Sequence, residues 1–154
     1  MKEEGQMSRA EQARAYFKQG YNCAQAVVLA YRDKMGLDEQ TAARLSSSFG
    51  GGLGRLREVC GAVSGACMVL GAVSGYTEAT DQEGKKAHYA RIQEFARRFK
   101  EENGSIICRE LLGEKKEDNT GVPEERTEAY YKKRPCDELV ACAAQILEDM
   151  LQEI

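Results

Sequence analysis

Apolar residues recur at every third or fourth position along almost the whole chain, and alternating runs of β-branched residues are missing. The pattern predicts helices and no sheet. Ser8-Arg9-Ala10-Glu11 has the form of a capping box and opens a helix that runs to about Gln19, with Gly20 as its stop. Asn22 caps a second, from Cys23 to about Met35, which Gly36 ends. Asp38 or a neighbour opens a third, to about Ser48. These three are expected to pack as a compact antiparallel set.

Beyond them, Ser46-Ser47-Ser48-Phe49-Gly50-Gly51-Gly52-Leu53-Gly54 forms a glycine loop that leads into an apolar helix from about Glu58 to Ser74. This helix carries Gly61, Ala62, Gly65 and Ala66. A glycine inside a helix costs about 1 kcal/mol relative to alanine, so two of them one turn apart point to close approach of another helix or a bound group. A long charged helix follows, about Asp81 to Asn103, with Ile92, Phe95, Ala96 and Phe99 as its apolar stripe. Gly104-Ser105 stops it and caps a short helix, Ile106 to Leu112, closed by Gly113. From Glu114 to about Arg134 the chain reads as a long exposed loop that docks through Tyr130-Tyr131. Pro135-Cys136-Asp137 then starts the last helix, to about Leu151. The expected fold is all-α: one domain over residues 1–154, a bundle of about five to six helices around a buried small-residue helix.

At 154 residues the chain is long enough to bury a core without disulfides. Its net charge of −3, with both signs interspersed, provides no basic stripe for nucleic acid or an anionic membrane. Small-molecule or protein partners are expected instead. Met1-Lys2-Glu3-Glu4-Gly5-Gln6-Met7 lacks the apolar core of a signal peptide, and no later stretch has the length of a membrane span. The expected location is the cytoplasm, where six cysteines imply redox or metal chemistry rather than a secreted disulfide framework.

The cysteines divide by position. Cys23, Cys60, Cys108 and Cys136 each fall at or near a helix start, where unpaired N–H groups and the helix dipole favour thiolate. Cys67 and Cys142 lie in mid-helix among Ala, Val, Met and Leu, the setting of a packing cysteine. A Cys60–Cys67 disulfide is excluded, because seven residues of helix separate Cα atoms by about 10 Å and a disulfide needs less than about 7 Å. No Cys-x-x-Cys pair is present, so thioredoxin-like chemistry, short-spaced zinc sites and ferredoxin-type runs lack their usual form. A joint site must be assembled from four separate helix starts.

Other features carry less. Gly52-Leu53-Gly54-Arg55-Leu56-Arg57 lacks the third glycine of the dinucleotide fingerprint, and no Gly-Lys-Ser/Thr follows. It therefore reads as a turn passing close to the cysteine site rather than a phosphate cradle. Arg55 and Arg57 are placed to stabilise a thiolate at Cys60, which makes Cys60 the expected most reactive thiol. His88, the only histidine, lies on a charged helix and is expected to be solvated; one histidine cannot build a histidine-rich metal site.

At these residues the sequence resembles the C-GCAxxG-C-C family of redox-active proteins. The likeness begins at Gly20-Tyr21-Asn22-Cys23-Ala24-Gln25-Ala26 and passes through Gly50-Gly51-Gly52 to Cys60-Gly61-Ala62-Val63-Ser64-Gly65. It continues with Cys108-Arg109-Glu110-Leu111-Leu112-Gly113 and ends at Cys136. The resemblance implies redox activity at the four shared cysteines and association with oxidoreductases and transporters. Related domains occur in split-Soret cytochromes, but haem attachment needs Cys-x-x-Cys-His, which is missing, so no haem is expected. Cys67 and Cys142 lie outside the shared pattern.

The leading expectation is a helical thiol protein with Cys23, Cys60, Cys108 and Cys136 as its catalytic residues. Two or more of them would meet and cycle between dithiol and disulfide with a partner oxidoreductase. The alternative gives the same four cysteines a metal ion or an iron–sulfur cluster. A third reading is a non-catalytic binding module whose small-residue helix forms a homodimer or partner interface.

Overall fold

The computed structural model describes residues 7–113 and 120–154, with the side chains of residues 131–133 left outside that description. It is all-α: among the described residues the one extended pairing is an isolated antiparallel bridge between Val59 and Ile107. Helix α1 (Arg9–Lys18) starts at Ser8, whose Oγ accepts from the Glu11 N–H at 3.1 Å. Asn22 and Gln25 close a capping box, with bonds of 2.9 and 3.0 Å, at the start of α2 (Cys23–Ala30). The expected second helix breaks at Tyr31 and resumes as α3 (Arg32–Met35), ended by left-handed Gly36. Tyr31 is buried, and its hydroxyl donates to the Ala144 carbonyl at 2.7 Å. A long-range contact therefore sits at the position where helical periodicity alone runs straight on.

Asp38 caps α4 (Glu39–Ser46), which passes through a 3₁₀ turn (Ser47–Phe49) into α5 (Gly50–Leu53), a single turn interrupted by left-handed Gly51 and Gly52. The remaining helices are α6 (Gly61–Ser74), α7 (Gln82–Asn103), α8 (Cys108–Leu112), α9 (Glu128–Lys133) and α10 (Cys136–Glu153). The number exceeds the five to six expected because α3, α5 and α9 are short turns that leave little periodic signal, whereas the short α8 was expected between Ser105 and Gly113.

Every residue of α2 except Gln25 is buried, as are Gly61, Ala62, Val63, Gly65, Ala66, Val69 and Leu70 of α6. The two helices share the centre of the molecule, with Phe17 of α1, Phe95 and Phe99 of α7, and Val140, Ala143, Ala144 and Leu147 of α10 packed into the same core. A Cβ at Gly65 would lie 2.8 Å from the Ala24 carbonyl oxygen, so the bare face of α6 is what lets α2 lie against it. No helix among the described residues is long and apolar enough to cross a membrane.

Two expectations need correction. Residues 114–119 of the expected exposed loop lie outside the described residues, as does the Tyr131 side chain; residues 120–125 and 127–129 are exposed as expected, but the stretch ends in a short helix and is anchored at one point rather than running on as a loop. Thr127 caps α9, and Arg126 donates to the carbonyls of Phe17 and Tyr21 while stacking on the Phe17 ring, which fixes the segment against the end of α1. His88, expected to be solvated, is buried, with the Tyr76 ring edge-on to it at 6.4 Å between centroids. Tyr76 from the preceding loop folds over the position that the charged helix pattern leaves open.

Candidate functional site

Cys23, Cys108 and Cys136 are the first residues of α2, α8 and α10, and Cys60 is the N-cap of α6. All four line one cavity of about 250 Å³; Cys67 and Cys142 do not. All six are free thiols, and the four at the cavity are only 3–9 % exposed.

Missing side-chain carbons make this gathering possible. A Cβ at Gly61 would come within 3.2 Å of the Cys23 Cβ and 2.8 Å of the Phe49 carbonyl oxygen. One at Gly52 would come within 2.7 Å of the Cys108 Cβ and 2.6 Å of the Glu58 nitrogen. One at Gly50 would collide with Asn22, the cap of the helix that Cys23 begins. Backbone pairing joins the segments of Cys60 and Cys108: the Cys60 N–H donates to the Ile106 carbonyl at 2.8 Å, and the Cys108 N–H to that of Glu58 at 2.6 Å.

Between the glycine turn and Cys60 the backbone is left-handed at three residues that are not glycine, Leu53 (φ +73°), Arg55 (φ +69°) and Arg57 (φ +62°). Such a conformation costs about 1–2 kcal/mol per residue. The turn places the Arg57 side chain in the protein, 6 % exposed, with Nη1 3.7 Å from the Cys108 sulfur. The guanidinium expected to serve Cys60 thus contacts Cys108, because the Val59–Ile107 bridge sets α8 beside residue 57.

Electrostatics separate the thiols. Interaction with Cys136 and burial raise Cys23 well above the ordinary thiol value, and the same interaction lowers Cys136; Arg134, Arg126 and Arg57 lower Cys136 further, against its burial. Burial pushes Cys60 up to about 12, although the Ala62 and Val63 N–H groups favour its thiolate. Burial also raises Cys108, with Arg57 opposing it. Away from the cavity, burial takes Cys67 up to about 11 and raises Cys142, which accepts from Asn103 Nδ2 at 3.4 Å. The expectation that Cys60 is the most activated thiol is therefore corrected: desolvation outweighs the helix start there, and Cys136 is the thiol held toward its charged form.

Several cavity residues escape sequence reasoning. Arg126 and Arg134 lie in the stretch read as a loop, yet Arg134 is 7 % exposed, ion-paired to Glu124 at 2.8 Å, and both guanidinium groups stack on Tyr130. Phe17 and Leu139 add apolar wall. No local motif marks these residues, since their partners are distant in the chain. Among the described residues, no group of three or more His, Cys, Asp or Glu side chains is placed to hold a metal ion, so the cavity thiols do not form a ready ligand set.

Four cysteines on four helix starts around one cavity define a helical protein with a built thiol site. The family model described as "Putative redox-active protein (C_GCAxxG_C_C)" matches residues 21–150, a span that includes all four, and the chain belongs to that family. No curated protein and no solved structure matches the chain.

Proposed function

We propose that the protein operates a dithiol–disulfide couple at Cys23 and Cys136 and exchanges two electrons with a redox partner in the cytoplasm, with Cys60 and Cys108 as a second pair of thiols on the same cavity. The observation that carries this reading is the placement of Cys23 and Cys136, the first residues of α2 and α10, on one cavity with Arg57, Arg126 and Arg134, which favour the Cys136 thiolate. Thiolate is the attacking species in disulfide exchange. In the oxidising direction Cys136 attacks one sulfur of an incoming disulfide, whose S–S bond breaks and whose other sulfur leaves as a thiolate. Cys23 then attacks the mixed disulfide at the Cys136 sulfur and gives its proton to a departing thiolate. The Cys23–Cys136 disulfide forms, and the incoming disulfide departs as two reduced thiols.

The test is equilibration of the full chain with graded ratios of reduced and oxidised dithiothreitol, followed by thiol counting and peptide mass. The expected result is a single two-electron couple with a Cys23–Cys136 link, retained by Cys67→Ser and Cys142→Ser and lost in Cys23→Ser and Cys136→Ser. The reading fails if the same couple persists in Cys23→Ser. Metal analysis of protein purified without oxygen separates it from a four-thiolate centre.

A further inference from the structure

Cys23 and Cys136 are the first residues of their helices, and the terminal turns of a helix are the parts that open most easily. A disulfide accepts only about 3.5–4.5 Å between Cβ atoms, so closing one between two helix starts requires the segments that lead into them to be held. The start of α2 is held by the capping box of Asn22 and Gln25, whereas α10 begins without a side-chain cap. What leads into α10 is the stretch from Arg126 through α9 to Pro135, and Arg126 reaches from it to the connection between α1 and α2. Its Nη1 donates to the carbonyl of Phe17 in the last turn of α1, and its Nη2 to that of Tyr21, two residues before Cys23, at 2.7 Å. Carbonyls at the C-terminal end of a helix favour a cation. The planar fork of arginine meets two acceptors at a fixed spacing, a geometry the point charge of lysine does not reproduce. The same guanidinium lies 4.1 Å from the centre of the Phe17 ring and 5.6 Å from that of Tyr130 in α9, so it is braced from both segments.

Building on the reading of Cys23 and Cys136 as a dithiol couple, we propose that Arg126 is the positioning residue of that couple: its fork ties the segment leading into Cys136 to the segment leading into Cys23 and holds the two thiols in register for disulfide closure. The step it serves is the second of the exchange. Once Cys136 carries a mixed disulfide, the Cys23 sulfur attacks the Cys136 sulfur, the protein S–S bond forms, and the substrate sulfur leaves with the bonding pair and takes the Cys23 proton. Two protein thiols are oxidised and one small disulfide is reduced to two thiols. Misplacement by about 1 Å can slow a step of this kind by about 100-fold, which is the scale on which loss of the fork registers. Arg126 has a second, separable effect on the first step, because its positive charge favours the Cys136 thiolate that makes the opening attack. A lysine at position 126 keeps the charge and loses the fork.

The experiment mixes reduced full-length protein with excess hydroxyethyl disulfide, quenches with acid at intervals, and uses peptide mass to separate the Cys136 mixed disulfide from the Cys23–Cys136 link. In the parent the mixed disulfide should close before it accumulates. Arg126→Lys should form it within about twofold of the parent rate and close it at least about tenfold more slowly, so that it accumulates; Arg126→Gln should slow both steps. The equilibrium of Arg126→Lys with graded dithiothreitol should shift toward the dithiol by about the same tenfold. Far-UV circular dichroism establishes that each variant is folded under the assay conditions, and if Arg126→Gln is not, Arg126→Lys carries the comparison. The proposal is overturned if Arg126→Lys closes the mixed disulfide as fast as the parent, or if Arg126→Gln slows the first step alone, since charge and not position would then be the whole effect. If the parent forms the Cys23–Cys136 link and the variants match it, only the role of Arg126 falls; if the parent forms no such link, the dithiol reading falls with it.

Discussion

Replacing Gly65 with alanine measures how tightly the start of α2 is held by α6. The new Cβ would stand 2.8 Å from the Ala24 carbonyl oxygen, 3.2 Å from the Ala24 Cα and 3.3 Å from the Val27 Cβ. A comfortable C···O contact needs about 3.3–3.6 Å, so α2 has to retreat by about half an ångström. It has little room, since all of its residues but Gln25 are buried. Overpacking of this kind costs about 1–3 kcal/mol, and the better helix propensity of alanine returns up to about 1 kcal/mol, leaving a net loss of about 1 kcal/mol. Gly71 lies on the same helix with nothing within 4 Å of the position a Cβ would take, so Gly71→Ala carries the propensity gain alone. The two variants should differ by about 2 kcal/mol, which for a chain of this size separates their melting temperatures by about 4–8 °C. Urea and thermal unfolding followed by far-UV circular dichroism measure the difference. If Gly65→Ala proves as stable as Gly71→Ala, α6 does not position α2, and the account of how Cys23 reaches the cavity is wrong.

Two further outcomes follow from the ionisation of the thiols. Alkylation of Cys136 by a small neutral reagent should show a midpoint below the ordinary thiol value of about 8.5, moving upward in Cys23→Ala, while Cys60 reacts only at far higher pH; a Cys136 midpoint at or above that of a free cysteine would refute the arrangement. Because folding raises Cys60 to about 12, its protonated form is the one the fold favours. That contribution is complete below the unfolded-state value of about 8.5 and is lost as pH rises toward 12, by at most about 1.4 kcal/mol per pH unit. Urea unfolding at rising pH should therefore show Cys60→Ser losing stability less steeply than the parent, and equal slopes would show that Cys60 is not desolvated as described.

The parts of this molecule that were legible in the sequence are those built by neighbours. Ser8, Asn22, Asp38 and Asp81 each accept from an N–H three residues on, so the four helix starts they cap could be located from local pattern. The same logic placed Cys23, Cys60, Cys108 and Cys136 at helix starts and kept Cys67 and Cys142 apart from them. What escaped depends on contacts across the chain. Tyr31 breaks its helix beside a hydrogen-bond partner 113 residues away, Arg57 meets a sulfur 51 residues away, and Arg126 finds its acceptors on the far side of the cysteine sequence. The ranking of the thiols escaped for a related reason. A helix start lowers a thiol pKa and burial raises it, and only the assembled fold decides that burial prevails at Cys60 while Cys23 and three arginines prevail at Cys136.

Because the four cysteines stand at the ends of helices, the chemistry of the cavity is separable from the architecture that carries it. First-turn and capping positions are where serine and aspartate are at home, and at the start of α6 the Ala62 and Val63 N–H groups already face the Cys60 side chain in the capping role. A serine there offers an oxygen suited to that role. The scaffold resembles a socket with interchangeable contacts: oxygen can replace sulfur at its rim while α2, α6, α8 and α10 stay in place. That makes it a natural starting point for re-equipping an arginine-walled cavity with other reactive groups.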